Sequence, residues 1–100
     1  MNDKYVRKIL EYLSGSGARC FIITPIPSTR EELESRRSWI CNMIRDEQKN
    51  FPAVTLIEGE SFFPPDDSLL CDQLHPNDKG MEVYAQGWIN AVKSSGIIFI

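Results

Sequence analysis

The chain has 100 residues and a net charge of −3, with 42% hydrophobic and 25% charged residues. This length allows one small domain, and the composition is that of a folded globular chain rather than a disordered one. The acidic balance argues against binding nucleic acid through phosphate charge, and no apolar run approaches the ~20 residues of a membrane span.

Three cysteines, Cys20, Cys41 and Cys71, occur without a Cys-x-x-Cys spacing. An odd count of this kind predicts neither a disulfide framework nor a zinc site, and it favours free thiols in a reducing compartment such as the cytoplasm. The N-terminal residues contain scattered charges and no uninterrupted apolar stretch, so we do not expect a secretory signal in this chain.

The first half of the sequence predicts helix, strand and helix in turn. Val6, Ile9, Leu10 and Leu13 recur at the spacing of one helix face, and the Ser-Gly repeat at 14–17 ends that helix. The apolar run at 19–24 predicts a strand covered on both faces. Ser28 and Glu31 have the spacing of a capping box, which would begin a second helix that runs to about Lys49.

That second helix has a predicted inward stripe and a predicted wet side. The stripe contains Leu33, Ile40, Met43 and Ile44, with the stems of Arg36 and Arg37, and the solvent side contains Glu31, Glu32, Glu34, Arg45 and Glu47. Trp39 and Trp88, at helical positions, are expected to be packing anchors.

The second half predicts a strand at 53–58, a loop from Gly59 to Leu70, and a helix capped by Asn77 or Asp78. The apolar spacing of that last helix is carried by Met81, Tyr84, Ala85, Trp88, Ile89 and Val92. The tail at 97–100 is apolar and could add a short strand. Alternating helices and strands predict an α/β fold. Because two or three strands make a small sheet, we expect either a fragment or a domain that a partner completes.

The only histidine, His75, follows Asp72 by three residues and directly precedes Pro76 and the last helix. A catalytic histidine needs an acceptor on one ring nitrogen, which leaves the other nitrogen free to take a proton from a nucleophile. Asp72 and His75 would supply this pair if the loop turns back on itself. The alternative interpretation is a His-Pro turn with solvated charges, since short motifs often occur by chance.

The order of these segments resembles the C-terminal block of SGNH hydrolases, also called GDSL-type esterases. The matching features are the run at 20–27 with its Thr-Pro end, the strand end Leu56-Ile57-Glu58-Gly59, the Asp72-x-x-His75-Pro76-Asn77 block, Gly80 and the helix through Trp88. The resemblance covers nearly all of the chain and implies part of a three-layer α/β/α, flavodoxin-like fold. It implies a single domain over residues 1–100 that is the C-terminal portion of a larger hydrolase domain.

By the same resemblance, His75 is the general base and Asp72 is the acid that orients it, with no metal or cofactor. The family's nucleophile is a serine in a Gly-Asp-Ser motif, which this sequence lacks. Ser61 and Ser68 lie too close to Asp72 along the chain to replace it. The expected activity is therefore ester hydrolysis only after completion by a missing N-terminal half, and we expect the chain alone to be inactive.

Two questions stay open: the role of the aromatic loop, and the choice between an esterase and an association module. Phe62, Phe63 and the following prolines could line an acyl pocket beside His75, or this loop could pack onto the core. A metal site formed by Cys71, Asp72 and His75 is not expected, because too few ligands converge. A non-catalytic association module, which pairs through an open sheet edge as a homodimer, is the alternative to an esterase that takes a small-molecule ester.

Overall fold

The computed structural model describes residues 3–96 of the chain. Three α-helices alternate with two strands: α1 spans Asp3–Ser14, β1 Cys20–Ile23, α2 Glu31–Gln48, β2 Val54–Ile57 and α3 Asp78–Ser94. Two single 3-10 turns, Gly59–Ser61 and Asp67–Leu69, interrupt the predicted loop from Gly59 to Leu70. The α/β class and the order of the main elements are confirmed.

The sheet consists of β1 and β2, which run parallel with Cys20 opposite Val54 and Ile23 opposite Ile57. The connection between them contains α2, because parallel neighbours need a long crossover rather than a hairpin. After β1, the amide of Thr24 extends the pairing by donating to the carbonyl oxygen of Ile57 at 2.9 Å. The Thr24 hydroxyl then accepts from the Gly59 amide at 2.9 Å, so the two strand ends stay together.

One core lies between the sheet and the first two helices. Its buried residues are Val6, Leu10, Met43, Ile44 and Val54. From the strands, Cys20, Ile22 and Leu56 pack against this group. Alternate strand residues point to the same face, so this contact covers one face of the sheet.

A second core holds the region after β2 against α3. Phe63, Leu69 and Leu70 are buried there, and Ile26, Val83 and Tyr84 pack around them. The ring of Tyr84 meets that of Phe63 edge to face at a centroid distance of 6.4 Å. This packing fixes the position of α3 relative to the end of β1, which is where the Asp72–His75 segment lies.

The predicted capping box at the start of α2 is wrong. The N-cap of α2 is Arg30, which makes no side-chain cap hydrogen bond. The Ser28 hydroxyl instead accepts from the Arg30 amide at 3.2 Å, and Glu34 rather than Glu31 accepts from the Ser28 amide at 3.4 Å. The helix begins two residues later than the box requires, and the carboxylate that Ser28 contacts lies three residues beyond Glu31.

The predicted wet side of α2 also needs a correction at Glu47. This side chain is buried, because Arg7 of α1 clamps both of its carboxylate oxygens at 2.9 Å. Arg45 is only partly exposed and binds Glu58 at 2.6 Å. Both corrections have the same cause: the ion-pair partners come from distant parts of the chain.

Several predicted packing residues lie in contact with solvent. Exposure reaches 55% for Ile9, 50% for Trp39, 50% for Met81 and 44% for Ile89. Ile9 sits one residue step, about 100°, from Leu10, at the margin of the buried face of α1. Trp88, in contrast, packs edge to face on Tyr84 at 6.4 Å, as expected for an anchor.

The molecule is flat, with extents of 39 × 38 × 15 Å and a radius of gyration of 14.5 Å. A compact domain of 100 residues has a radius of about 13 Å. The strand considered for residues 97–100 lies outside the described residues. No helix within residues 3–96 has the length and apolarity needed to cross a membrane.

Candidate active site

The segment from Leu70 to Pro76 folds back on itself. Leu70 and Pro76 form an antiparallel bridge, and the Cys71 amide donates to the carbonyl oxygen of His75 at 2.9 Å. Gln73, at the tip, has a φ of 65°, the left-handed conformation that lets a tight turn close. The loop therefore makes the turn that the pairing of Asp72 with His75 requires.

Asp72 supports this turn with both of its carboxylate oxygens. Oδ1 accepts from the amides of Leu74 at 3.0 Å and His75 at 2.6 Å, while Oδ2 lies 2.5 Å from Nδ1 of the His75 ring. Hydrogen bonds to the ionised form stabilise it. The His75 amide, followed by the His75 ring, holds the pKa of Asp72 well below its usual range.

The contact with Asp72 uses Nδ1 of His75 and leaves Nε2 available. The His75 side chain is 68% exposed, and no group within residues 3–96 hydrogen-bonds to Nε2. A carboxylate on Nδ1 favours the tautomer that carries its proton there, so Nε2 can accept a proton from an incoming hydroxyl. The structure thus brings together Asp72 and His75, the two residues predicted from the sequence. Nδ1 of the ring contacts the carboxylate, and Nε2 lies outside that contact.

Two neighbouring segments anchor the loop. The Thr29 amide, which precedes α2, donates to the Gln73 carbonyl oxygen at 3.0 Å, and the Thr29 hydroxyl donates to the Asp67 carboxylate. On the other side, Asn77 is the N-cap of α3: its Oδ1 accepts from the Gly80 amide at 2.9 Å. This confirms the predicted cap and ties the residue next to Pro76 to a helix end.

A groove lies beside the exposed imidazole. It has a volume of about 460 Å³ and is lined, next to His75, by Pro25, Ile26, Leu74, Pro76, Met81 and Tyr84. Sequence reasoning missed this groove, because its walls come from the end of β1, the His75 loop and α3. The only available signal was the proximity of parallel strand ends to binding sites in α/β folds.

The aromatic loop considered as an acyl pocket packs onto the core instead. Phe63 is fully buried, and the ring of Phe62 covers Gly87 so closely that a Cβ there would lie 1.9 Å from it. Of the two alternatives, an acyl pocket and a loop packed onto the core, the structure has the packed loop.

The two serines near Asp72 make hydrogen bonds in their 3-10 turns, and the Ser68 carbonyl oxygen also accepts from Asn77 Nδ2 at 2.9 Å. The Ser61 hydroxyl donates to the Glu58 carbonyl oxygen at 2.6 Å within a 3-10 turn. The Ser68 amide donates to Asp66 within the other 3-10 turn. Among the described residues, neither serine hydroxyl has a hydrogen bond to His75.

In the described part of the chain, the thiols and carboxylates do not converge on a metal position. Within residues 3–96, no group of three or more His, Cys, Asp or Glu side chains could hold a metal ion. Cys71 is exposed and its Sγ lies 3.4 Å from the His75 carbonyl oxygen, whereas Cys41 is buried, which raises the pKa of its thiol. All three cysteines are free.

The site therefore consists of an oriented imidazole at the mouth of an apolar groove, at the carboxyl end of a parallel strand. Such an imidazole can accept a proton from a hydroxyl and return it to a leaving group. Comparisons of this chain with protein-family models, with curated proteins and with solved structures find no significant match.

Proposed function

We propose that this chain is the C-terminal part of an SGNH-type esterase or acylhydrolase, in which Asp72 and His75 are the acid–base half of a Ser-His-Asp triad. The observation that carries the proposal is the 2.5 Å contact between Asp72 Oδ2 and His75 Nδ1. The resemblance of the ordered segments to that family supports it. The serine would come from a segment outside these 100 residues.

In the proposed reaction, His75 Nε2 takes the proton from the serine hydroxyl as its oxygen attacks the ester carbonyl carbon. The protonated ring then donates that proton to the departing alcohol, and an acyl-serine remains. Water, deprotonated by the same nitrogen, releases the acid and regenerates the serine. Asp72 stays ionised throughout, because its pKa is depressed, and its negative charge stabilises the imidazolium.

Without a nucleophile, the 100 residues should show no appreciable turnover. Loss of the serine removes covalent catalysis, and only a complete oxyanion hole and substrate site would leave a residual ~10³–10⁴-fold effect over water. In an assay with p-nitrophenyl acetate, we expect no more hydrolysis than an equal concentration of free imidazole gives. Turnover well above that level, lost in His75→Ala, would mean that the chain carries its own nucleophile.

A fluorophosphonate probe tests the proposed function directly. The DNA upstream of the first codon is searched, in every frame, for a segment that encodes Gly-Asp-Ser, and that segment is produced together with this chain. The probe should label the serine in the pair, and His75→Ala should abolish the labelling. Asp78→Asn is a control, because it removes one charge six residues from Asp72 and outside the His75 contact. Labelling that does not depend on His75 would contradict the proposal.

A second candidate function, a non-catalytic association module, is favoured by the sheet. Within residues 3–96, each strand has one neighbour, so each leaves an edge of backbone groups to pair. A two-stranded sheet in a flat molecule would gain strands by pairing with a second copy. Size-exclusion chromatography with light scattering distinguishes the cases: a folded, strictly monomeric species contradicts the module.

A further inference from the structure

The groove beside His75 has a composition unlike the polar loop around it. Pro25, Ile26, Leu74 and Pro76 present carbon atoms, and His75 lies at its mouth. We infer that this groove binds the unbranched aliphatic acyl chain of an ester and places the reacting carbonyl group at the imidazole. The acyl assignment rests on the function proposed above, whereas binding of an aliphatic chain does not.

The side chains of the lining favour an apolar occupant over a strongly polar one. Besides the His75 imidazole, the Tyr84 hydroxyl is the one side-chain polar group among the described lining residues. A sugar placed here would lose hydrogen bonds to water and recover few of them, which costs free energy for each unpaired group. An aliphatic chain gains free energy from the same walls, because it leaves water for an apolar surface.

Met81 adds an adaptable apolar surface to the wall of the groove. It is a large apolar side chain on α3, yet it is 50% exposed, and it lies on the wall of this groove. An unbranched thioether side chain adapts its shape to an irregular apolar ligand. A ligand in the groove would cover the surface that Met81 now presents to solvent.

The wall that α3 contributes also contains Tyr84, three residues after Met81. The Tyr84 ring is held by Phe63 and Trp88, both edge to face at centroid distances of 6.4 Å. A volume of about 460 Å³ falls within the range of sites for small molecules, roughly 300–1,000 Å³. The groove also begins at Pro25, two residues after the end of β1, where α/β sheets bind their ligands.

Methyl acetate, methyl butanoate and methyl hexanoate, added to the 100-residue chain, test the inference without any serine. The methyl resonance of Met81 and the ring resonances of His75 and Tyr84 should shift on binding. Burial of each added methylene should lower the dissociation constant about fourfold, hence about 15-fold between successive members of this series.

Two matched variants locate the binding. Met81→Gln keeps the length of the side chain at an exposed position, so the fold should persist, and it should weaken methyl hexanoate roughly fivefold to tenfold. Ile89→Gln changes a similarly exposed residue of α3 outside the groove and should leave the dissociation constant within about twofold. Unchanged NMR spectra away from the groove would verify that both variants fold.

Equal affinities along the series, or equal effects of the two variants, would overturn the inference. Tighter binding of methyl benzoate than of methyl hexanoate would overturn the aliphatic assignment. Chain-length-dependent binding supports the groove even where fluorophosphonate labelling fails, and that combination overturns only the acyl assignment. Labelling without dependence on chain length overturns the groove and leaves the proposed function standing.

Discussion

The first turn of α3 lies directly against the backbone of Leu69. A Cβ atom added at Gly80 would lie 2.1 Å from the Leu69 carbonyl oxygen, closer than any real contact. The Asn77 amide donates to the same oxygen at 2.9 Å. Gly80 is therefore required for the close approach that positions the His75 loop between the 3-10 turn and the helix.

We expect Gly80→Ala to destabilise the fold by about 1–3 kcal/mol, because a backbone oxygen cannot rotate away as a side chain can. Urea unfolding followed by circular dichroism measures this change in the free energy of unfolding. Gly15→Ala is the control, since the nearest atom to a Cβ there is the Glu11 carbonyl oxygen at 3.5 Å. Equal stability of the two variants would contradict the close approach.

Gln73 holds the left-handed conformation at the tip of the loop. Gln73→Val should disorder the turn, because a left-handed residue costs about 1–2 kcal/mol and a branched Cβ adds crowding. Gln73→Asn should preserve the turn, since asparagine tolerates this conformation. Hydrogen exchange of the Leu74 and His75 amides reports on the turn. We expect faster exchange in the valine variant alone. Equal exchange rates in the two variants would contradict the claim that the left-handed conformation of residue 73 holds the turn.

The stability of the loop should depend on pH through Asp72. Its pKa is lower in the folded loop than the ordinary value of about 3.9. The ionised carboxylate therefore stabilises the turn fully above the unfolded pKa, and this contribution is lost as the pH falls through the folded pKa.

Wild type and Asp72→Asn can be compared by amide exchange of His75 from pH 6 downward. The wild-type loop should be better protected above about pH 4, and the difference should shrink as the solution becomes more acidic. A difference that grows on acidification would mean that the charged carboxylate does not hold the turn.

Local patterns in the sequence were enough to predict the main elements and the close approach of Asp72 and His75. The periodicity of Val6 and Leu10, the cap at Asn77 and the three-residue spacing of Asp72 and His75 each depend on neighbours a few positions away. These predictions agree with the structure because the contacts on which they depend join residues that are close in the sequence.

What the sequence did not reveal depends on long-range packing. Glu47 is buried by Arg7, forty positions earlier in the chain, and periodicity carries no trace of that partner. Met81 follows the helical spacing of a core residue, yet it lines the groove, because the end of β1 lies opposite. The catalytic roles of Asp72 and His75 remain predictions, which the geometry allows to be tested.

The tautomer of the His75 ring tests the central claim most directly. In a long-range ¹H–¹⁵N NMR spectrum of the 100-residue chain above neutral pH, the proton should reside on Nδ1, with Nε2 unprotonated, and Asp72→Asn should reduce this preference. A ring that carries its proton mainly on Nε2 in the wild-type chain would contradict the account, because that nitrogen could not then act as the base.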